Sequence, residues 1–358
     1  MNERPRFIRL ELFLSIGLAS FGCAAAEAPG LDTEELRRCG SSRHPCADLA
    51  SVPDLAAASD LGTTPHDLGS ASGAPTIAGC TVFPADNAWN QDISALPVHA
   101  SSAAYIGIIG TTTAFHPDFS STAYDPPYGY GIPVTVVDAS LPKVPITFVS
   151  YPSEADPGPY PIPDSVAIEG GPSSTGDRHG IILESGSCTV YEVLGLAHTA
   201  SGWQGDVGAV WKLGVDSTRP ANWTSADAAG LPVLPGLVRY DEVAAGEIKH
   251  ALRFTVQHSQ KAFIAPASHF ASSSTNSAYP PMGLRVRLKA SVDITKFPPR
   301  MQVIVRALQR YGMLVADNGS NWYLTGSPDS RWDDDELNTL KQLHGSDFEA
   351  VETGSLAY

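Results

Sequence analysis

Short apolar segments bounded by Pro, Gly, Ser and Asn recur through the second part of the chain. In the segment HALRFTV, Leu252, Phe254 and Val256 stand at every second position. Arg253 and Thr255 occupy the positions between them, so a strand carries the two sets on opposite faces. This punctuated pattern predicts eight strands. They are Ile132–Val137, Val144–Tyr151, Gly180–Leu183, Thr189–Leu194, Ala209–Leu213, Ala251–Val256, Leu284–Leu288 and Met313–Ala316.

Two segments have the spacing of helices. Pro298–Tyr311 begins with prolines, repeats its apolar residues at helical intervals and is followed by Gly312, which together mark a helix start and stop. Asp333–Leu343 begins with acidic residues, which favour the positive end of a helix dipole. Many strands with two or three peripheral helices predict a mainly β fold, a β-sandwich or jelly-roll-like domain.

The N-terminal part of the chain has the pattern of an export and anchoring segment. Arginines followed by the short apolar run Leu12–Gly22 predict a signal peptide over residues 1–22. Cys23 follows small residues in a pattern similar to a bacterial lipobox, which predicts lipidation. Cleavage after the small residues Ala24–Ala26, with release of a soluble protein, is the alternative.

Residues 23–79 differ in composition from the rest of the chain. Asp-Leu recurs loosely among Ala, Ser, Gly and Pro, and so few apolar side chains do not repay the entropy of ordering the backbone. We predict a low-complexity Asp-Leu tether. All six tryptophans follow residue 80, and residues 80–358 are long enough for a single globular β-rich domain.

Five cysteines are an odd number for an exported protein until one of them is assigned to the lipid. If Cys23 carries lipid, four remain: Cys39, Cys46, Cys80 and Cys188. Four cysteines allow three pairings, of which Cys39–Cys46 with Cys80–Cys188 is the one we expect. A zinc site is disfavoured, because no cysteine and histidine cluster at metal spacing occurs.

The charge of the chain bears on its partners. The 38 Asp and Glu residues outnumber the 23 Lys and Arg residues, leaving a formal charge of −15 at pH 7. Nucleic-acid binding relies on clustered positive charge, so no nucleic-acid partner is expected. No apolar stretch long enough to span a bilayer follows the N-terminus, so membrane attachment is expected through the lipid anchor only.

The first candidate for chemistry is the glycine-rich segment Gly170–Glu184. In a strand, Asp177 and His179 face the same side, and a histidine held by a carboxylate acts as a general base or binds a metal. The sequence requires no cofactor, although a metal at Asp177, His179 and His269 is an alternative. The other interpretation is a loop fastened by local hydrogen bonds.

The second candidate is the segment Trp223–Arg253. Its His250 shares parity with Leu252 and Phe254, so it either lies in the core or lines a cleft formed by that face. Asp241 and Glu242 precede His250, and paired carboxylates suit glycoside cleavage. We predict catalytic residues His179, Asp241, Glu242 and His250. In this prediction His179 or Glu242 transfers the proton and Asp241 stabilises positive charge.

The third candidate is a set of aromatic residues in polar surroundings. Trp203, Tyr240, Asp317 and Trp322 are predicted to bind a sugar. The alternative is that the tryptophans belong to the core and that Asn318-Gly319 makes a hairpin turn.

These candidates lead to two expectations of function. No P-loop, HExxH, GxSxG or dinucleotide-binding motif occurs. We therefore expect an exported cell-envelope protein that acts on polysaccharide, as a glycoside hydrolase or lyase. The alternative is a non-catalytic carbohydrate-binding or adhesive surface lipoprotein.

Four stretches of the chain carry a resemblance. They are GDRH at 176–179, WTSADAAGLPVLPGLVRYDEVAAGEIKHALRFTV at 223–256, PMGLRVRLKASVDI at 281–294 and RALQRYGMLVADNGSNWYLTG at 306–326. Together they resemble a widespread family of exported bacterial proteins of uncharacterised function. The resemblance implies a shared exported domain over most of residues 80–358, and it implies no activity.

Overall fold

Strands dominate the computed structural model, which describes residues 73–124 and 126–358. The strands are β1 (Thr76–Ile77), β2 (Cys80–Thr81), β3 (His116–Asp118), β4 (Val134–Val137), β5 (Ile146–Phe148), β6 (Gly180–Glu184), β7 (Thr189–Leu194), β8 (Ala197–Thr199), β9 (Gly202–Gly205), β10 (Val207–Lys212), β11 (Leu252–Val256), β12 (Phe263–Ile264), β13 (Arg285–Leu288), β14 (Met313–Asn318), β15 (Tyr323–Thr325), β16 (Phe348–Ala350) and β17 (Leu356–Ala357). The helices are α1 (Ser102–Ile109), α2 (Tyr240–Ala245), α3 (Pro299–Arg310) and α4 (Asp334–Asn338), with 3-10 turns at Leu234–Gly236, Ile294–Lys296, Thr339–Gln342 and Gly345–Asp347.

The described residues belong to one compact unit. The predicted signal peptide, the lipidated Cys23, the Cys39–Cys46 pair and the tether up to residue 72 lie outside the described residues. None of the helices within the described residues combines the length and the apolar composition needed to cross a bilayer.

The mainly β fold is confirmed, and each of the eight predicted segments contains a strand. The predicted strand Val144–Tyr151 is shortened to Ile146–Phe148, because Val144 forms an isolated bridge with Tyr160 instead. The helix predicted at Pro298–Tyr311 is α3. The helix predicted at Asp333–Leu343 is divided into α4 and the 3-10 turn that follows it.

The largest sheet has six strands in the order β16-β13-β14-β11-β15-β3. It is mixed, because β11–β14 and β15–β3 are parallel pairs. A jelly roll is antiparallel, so the jelly-roll detail of the prediction is not confirmed. The hairpin predicted at Asn318-Gly319 is wrong, since β14 and β15 lie on opposite sides of β11.

A four-stranded sheet, β10-β7-β6-β4, lies between two hydrophobic cores. On β6, Ile181 and Leu183 belong to the main core, whereas Ile182 belongs to a second core. This second core also contains residues of the three-stranded sheet β5-β9-β8, such as Phe148. Sheets therefore stack in layers as in a sandwich.

Three aromatic rings stack in the main core, on one face of the six-stranded sheet. The ring of Trp322 lies 5.6 Å from that of Phe254 and 4.8 Å from that of Phe348. Since Phe254 faces this core, its strand neighbours Arg253 and Thr255 face the opposite side.

A disulfide joins Cys80 on β2 to Cys188 in the turn between β6 and β7. It confirms the predicted Cys80–Cys188 pair. The two residues are 108 positions apart, so the bridge closes a long loop and restricts the unfolded chain.

Replacing both Cys80 and Cys188 by serine is expected to lower the free energy of unfolding by about 3 to 4 kcal/mol. The reason is the conformational entropy that the unfolded chain regains when the loop opens. Urea unfolding followed by tryptophan fluorescence measures the change, and a Cys39→Ser/Cys46→Ser variant is the control. Equal unfolding free energies for the Cys80/Cys188 variant and the native chain would contradict the prediction.

Candidate functional site

One face of the six-stranded sheet carries a row of polar side chains across three strands. Arg253 on β11 donates from Nη1 to Oγ1 of Thr325 on β15 at 3.0 Å. Thr325 is in register with Asp118 on β3. The three residues therefore share the face that is turned away from Phe254 and Trp322.

A second polar row lies beside the first on the same face. Asp317 on β14 is in register with Thr255, Thr255 with Tyr323, and Tyr323 with His116. The rings of Tyr323 and His116 stack at 4.1 Å. The two rows together make a polar platform four strands wide.

The loop at residues 226–230 lies against this platform and is bonded to its charged groups. Asp227 Oδ2 accepts hydrogen bonds from Arg253 Nε at 3.1 Å and from Nη2 at 3.0 Å. The Asp227 side chain has no exposed surface, and that of Arg253 is 3% exposed. The Ala228 N–H donates to Asp317, and the Ala228 carbonyl accepts from His269 Nδ1 at 2.7 Å. The loop thus connects both rows.

His179, directly before β6, is held by Glu169 and by the same loop. Its Nδ1 lies 2.6 Å from Glu169 Oε2, and its Nε2 lies 2.9 Å from the Ala226 carbonyl oxygen. The carbonyl accepts, and the Glu169 carboxylate accepts when it is ionised, so both ring nitrogens then donate and the imidazolium form is favoured. Burial lowers the pKa of His179, but the hydrogen bond and charge of Glu169 outweigh it and the pKa is raised.

The pKa of Glu169 shifts in the opposite direction from those of its carboxyl neighbours. Burial raises the pKa of Glu169, but the hydrogen bonds and charge of His179 reverse the effect and lower it. Burial and the charge of Glu169 raise the pKa of Asp118. Burial also raises the pKa of Asp317, and it raises that of Asp227 to about 7. Burial therefore favours the protonated forms of Asp118, Asp227 and Asp317, whereas His179 favours the ionised form of Glu169.

The carboxyl groups at the edge of the site are partly accessible to solvent, whereas its two cationic side chains are not. Asp118, Glu169 and Asp317 are half-buried, while His179 and Arg253 are enclosed. Asp118 and Glu169 are partly open to solvent, interact electrostatically and have pKa values shifted in opposite directions. Such a pair can serve acid–base chemistry.

A cavity of about 320 Å³ opens beside Asp118. The stacked His116 and Tyr323 rings line it, as does a second pair, Tyr124 and Tyr130, whose rings are 5.6 Å apart. Lys341 and Asp334 contribute polar groups to its wall. Aromatic rings and polar groups thus line a cavity that reaches Asp118.

The four predicted catalytic residues do not form one group in the structure. His250 Nε2 lies 3.1 Å from Glu242 Oε2, and Arg239 lies 2.6 Å from Glu242 Oε1. Asp241 is exposed and pairs with Arg331. Within residues 73–124 and 126–358, no hydrogen bond or ion pair joins His179 to these residues.

This arrangement corrects the predicted grouping. His250 is fully buried and its Nδ1 donates to the carbonyl of Ala251, so both of its nitrogens have partners inside the protein. These contacts connect the start of α2 to the segment that leads into β11. They are made by Arg239, Glu242 and His250. His179 is also corrected in its partner, since Glu169, not Asp177, holds the ring.

The predicted sugar-binding residues divide in the same way. Asp317 lies on the polar platform. Trp322 has no exposed surface and donates from Nε1 to the Gly110 carbonyl, so the prediction that it stacks on a sugar is wrong. Trp203 lies on β9 beside His198, and Tyr240 packs against Trp332. Neither is part of the platform.

The alternative metal set of Asp177, His179 and His269 lacks a ligand. Neither ring nitrogen of His179 is free, and metal binding needs a free lone pair. In the part of the chain that the structure describes, no group of three or more His, Cys, Asp or Glu residues is arranged to hold a metal ion.

The Glu169–His179 pair is expected to stabilise the fold fully only within a limited range of pH. The lowered pKa of Glu169 makes its contribution present above about pH 4.5 and lost as pH falls through the folded-state pKa. The raised pKa of His179 makes its contribution complete below about pH 6.5 and lost as pH rises through its folded-state pKa. Both contributions are complete only between these two values.

The difference in unfolding free energy between the native chain and Glu169→Gln is therefore expected to be largest between about pH 4.5 and 6.5, at about 1.5 to 3 kcal/mol. Urea unfolding at intervals from pH 4 to pH 9 measures it. Glu247→Gln, at a carboxylate whose side chain is 43% exposed, is the control and should give a flat difference. A flat difference for Glu169→Gln as well would show that the imidazolium pair is absent.

Comparison of the chain with protein-family models, with curated proteins and with solved structures finds no match.

Proposed function

We propose that this chain is an exported enzyme that hydrolyses a polysaccharide, with Asp118 as the acid and Glu169 as the base. The observation that carries the proposal is the cavity at Asp118, which is lined by aromatic rings and adjoins a carboxyl group that interacts electrostatically with a second one, Glu169. The pKa of Asp118 is raised and that of Glu169 is lowered. Paired carboxyl groups in opposite protonation states are what glycoside hydrolysis requires.

The reaction balances with these two groups and one water molecule. Asp118 donates its proton to the glycosidic oxygen as the bond from that oxygen to the anomeric carbon breaks. Glu169 takes a proton from water while the water oxygen forms a bond to the anomeric carbon. Exchange with solvent returns a proton to Asp118 and removes one from Glu169.

Three cationic and neutral groups support the two carboxyls without touching substrate. His179 holds the charge and direction of Glu169 through the 2.6 Å hydrogen bond. The charge of Arg253 acts on both carboxyls and lowers the pKa of each. It favours the ionised base, and burial and the charge of Glu169 outweigh it at Asp118. Thr325 orients the Arg253 guanidinium. These are positioning residues.

Export to an oxidising compartment is part of the proposal. The Cys80–Cys188 disulfide supports it, because such bonds persist outside the cytosol. The predicted signal peptide and lipidated Cys23 favour the bacterial cell envelope, with extracellular release as the alternative. The formal charge of −15 supports a glycan over a nucleic acid as the partner.

A non-catalytic carbohydrate-binding module is the second candidate. The observation that favours it is the exposure of Tyr124, Tyr128 and Tyr130, of which 64%, 42% and 51% is accessible. Exposed aromatic rings serve binding whether or not a bond is cleaved. Binding without product distinguishes this candidate from the enzyme.

The test is product release by the full-length chain from polysaccharides of bacterial, fungal and plant origin. We expect new reducing ends from at least one of them, a large loss in Glu169→Gln and full release in the matched control Glu247→Gln. Binding of a glycan with no product would assign the chain to the binding class. An unsaturated product absorbing in the ultraviolet would replace hydrolysis with elimination.

A further inference from the structure

Two cavities share a pair of arginines on the exposed face of α3. Arg306 and Arg310 are both exposed and line both cavities. One cavity, of about 350 Å³, is bounded on its other side by Arg287 on β13 and Glu349 on β16. The other cavity, of about 360 Å³, is bounded by the end of α2 and the residues that follow it. A ligand in either cavity can therefore reach the two arginines.

The cavity of about 350 Å³ has a surplus of positive charge. Its lining contains three arginines and one acidic residue, Glu349, which leaves a surplus of two positive charges. The chain as a whole has a formal charge of −15, so this cavity differs in sign from the protein that surrounds it. A local surplus of positive charge in a cleft attracts an anionic ligand.

Two of the three arginines have acidic partners inside the fold. Arg287 Nη2 lies 2.8 Å from Glu349 Oε1, and its Nη1 donates to backbone carbonyl oxygens. Arg310 Nε lies 2.8 Å from Asp92 Oδ2, and its Nη1 lies 3.6 Å from Glu247 Oε1. The packing of the fold therefore explains Arg287 and Arg310.

Arg306 has no acidic partner. Among the described residues it makes one hydrogen bond, from Nη1 to Gln302 Oε1 at 3.4 Å, and no ion pair. Its Nε and Nη2 atoms keep their capacity to donate. Arg310 follows four residues later on α3, and like charges at this spacing destabilise a helix. A bound anion removes the repulsion and supplies the partner that Arg306 lacks within the fold.

This arginine cluster is separate from the proposed acid–base pair. Arg287 lies on β13 and Asp118 on β3, and three strands, β14, β11 and β15, lie between them in the sheet. Neighbouring strands are about 4.8 Å apart, so four spacings place the two strands about 19 Å from each other. The cluster therefore requires an explanation of its own.

We infer that the cavity of about 350 Å³ binds a phosphate group, either of a small phosphomonoester or of inorganic phosphate, with Arg306 as its main donor. A guanidinium presents paired N–H donors that match phosphate oxygens. A phosphate monoester carries about −1.5 to −2 charges at pH 7, which balances the surplus of two positive charges, whereas a simple carboxylate carries one. Arg310 supplies the second positive charge beside Arg306. The inference does not depend on the proposed hydrolysis.

The test is calorimetric titration of the full-length chain at low salt with inorganic phosphate, glycerol phosphate, acetate and glycerol. We expect saturable binding of a phosphate ligand to one site per chain. Arg306→Gln is expected to weaken it by about tenfold, through loss of charge-assisted hydrogen bonds. Because Arg306 is exposed and has no ion pair in the fold, this variant should unfold at the same urea concentration as the native chain.

The matched control is Arg331→Gln, which changes the net charge equally. The Arg331 side chain is 51% exposed and lines neither cavity, so this variant should bind phosphate as the native chain does. Equal weakening in both variants would overturn the inference, because it would show an effect of net charge alone. Unchanged binding in Arg306→Gln, or no saturable binding of either phosphate ligand to the native chain, also overturns it.

The remaining comparisons identify the ligand. Binding of glycerol phosphate should strengthen between pH 5 and pH 7.5, as the ester gains its second negative charge with a pKa of about 6. Acetate bound as tightly as phosphate overturns the phosphate class. Tighter binding of glycerol phosphate than of inorganic phosphate supports an organic phosphomonoester, and the reverse order supports the free ion.

Discussion

Replacing Asp118 with Asn is expected to slow glycan cleavage by about 10²- to 10⁴-fold, the usual contribution of a positioned acid. Asparagine has nearly the same shape but no proton to give to the leaving oxygen. The loss should depend on the leaving group. An aryl glycoside whose leaving group is a stable anion needs little protonation, so Asp118→Asn should lose far less activity on it than on a polysaccharide.

That dependence on the leaving group distinguishes an acid from a structural residue. If Asp118 only held the fold, its replacement would slow both substrates equally. Glu169→Gln is the companion variant, and it should slow both substrates because each needs an activated water. Equal losses on both substrates for Asp118→Asn would contradict the assignment of the acid.

The pH profile of cleavage should be bell-shaped for the same reason. Activity requires Glu169 ionised and Asp118 protonated. The acidic limb therefore falls below the usual range of a glutamate, because the pKa of Glu169 is lowered. The alkaline limb lies above the usual range of an aspartate, because the pKa of Asp118 is raised. Initial rates across pH measure both limbs.

Strand positions were predictable because alternation and turn residues are local properties of the sequence. The alternation around Arg253 identified both faces of β11 before any partner strand was known, and the structure confirms that Phe254 faces the core. The pairing of strands was not predictable. β15 pairs with β3 although some two hundred residues separate them, and no local pattern records which distant segments meet.

In the candidate site too, single residues were predictable from the sequence but their partners were not. His179 was identified by its charged neighbours, yet its partner is Glu169, ten residues away in a loop whose course the sequence does not specify. Asp118 stands in the short segment His116–Asp118, which has too few residues for a period. The sequence signal that points to this site is Arg253, a charged residue inside an apolar strand, because a buried charge requires a buried partner.

The buried partner of Arg253 leads to the largest expected effect on stability. Arg253→Met is expected to lower the free energy of unfolding by about 3 to 5 kcal/mol, because it leaves Asp227 buried without its counter-charge. Arg253 supplies three hydrogen bonds, two to Asp227 and one to Thr325. Thr325→Val, which removes only the third bond, is the control and should cost about 1 kcal/mol. Urea unfolding at pH 8 measures these losses.

The loss of unfolding free energy caused by Arg253→Met should also depend on pH. The pKa of Asp227 decides whether this loss grows or shrinks as pH rises. The pKa of Asp227 is already raised to about 7 by burial, and Arg253 opposes that rise. Without Arg253 the pKa rises further, so Asp227 is protonated at pH 5 and buried as a neutral group. The loss of stability should therefore be smaller at pH 5 than at pH 8.

An Asp227→Leu/Arg253→Met variant should recover most of the loss at pH 8, since no unpaired charge remains. A double variant no more stable than Arg253→Met alone would mean that the loss comes from packing around the guanidinium and not from the uncompensated carboxylate.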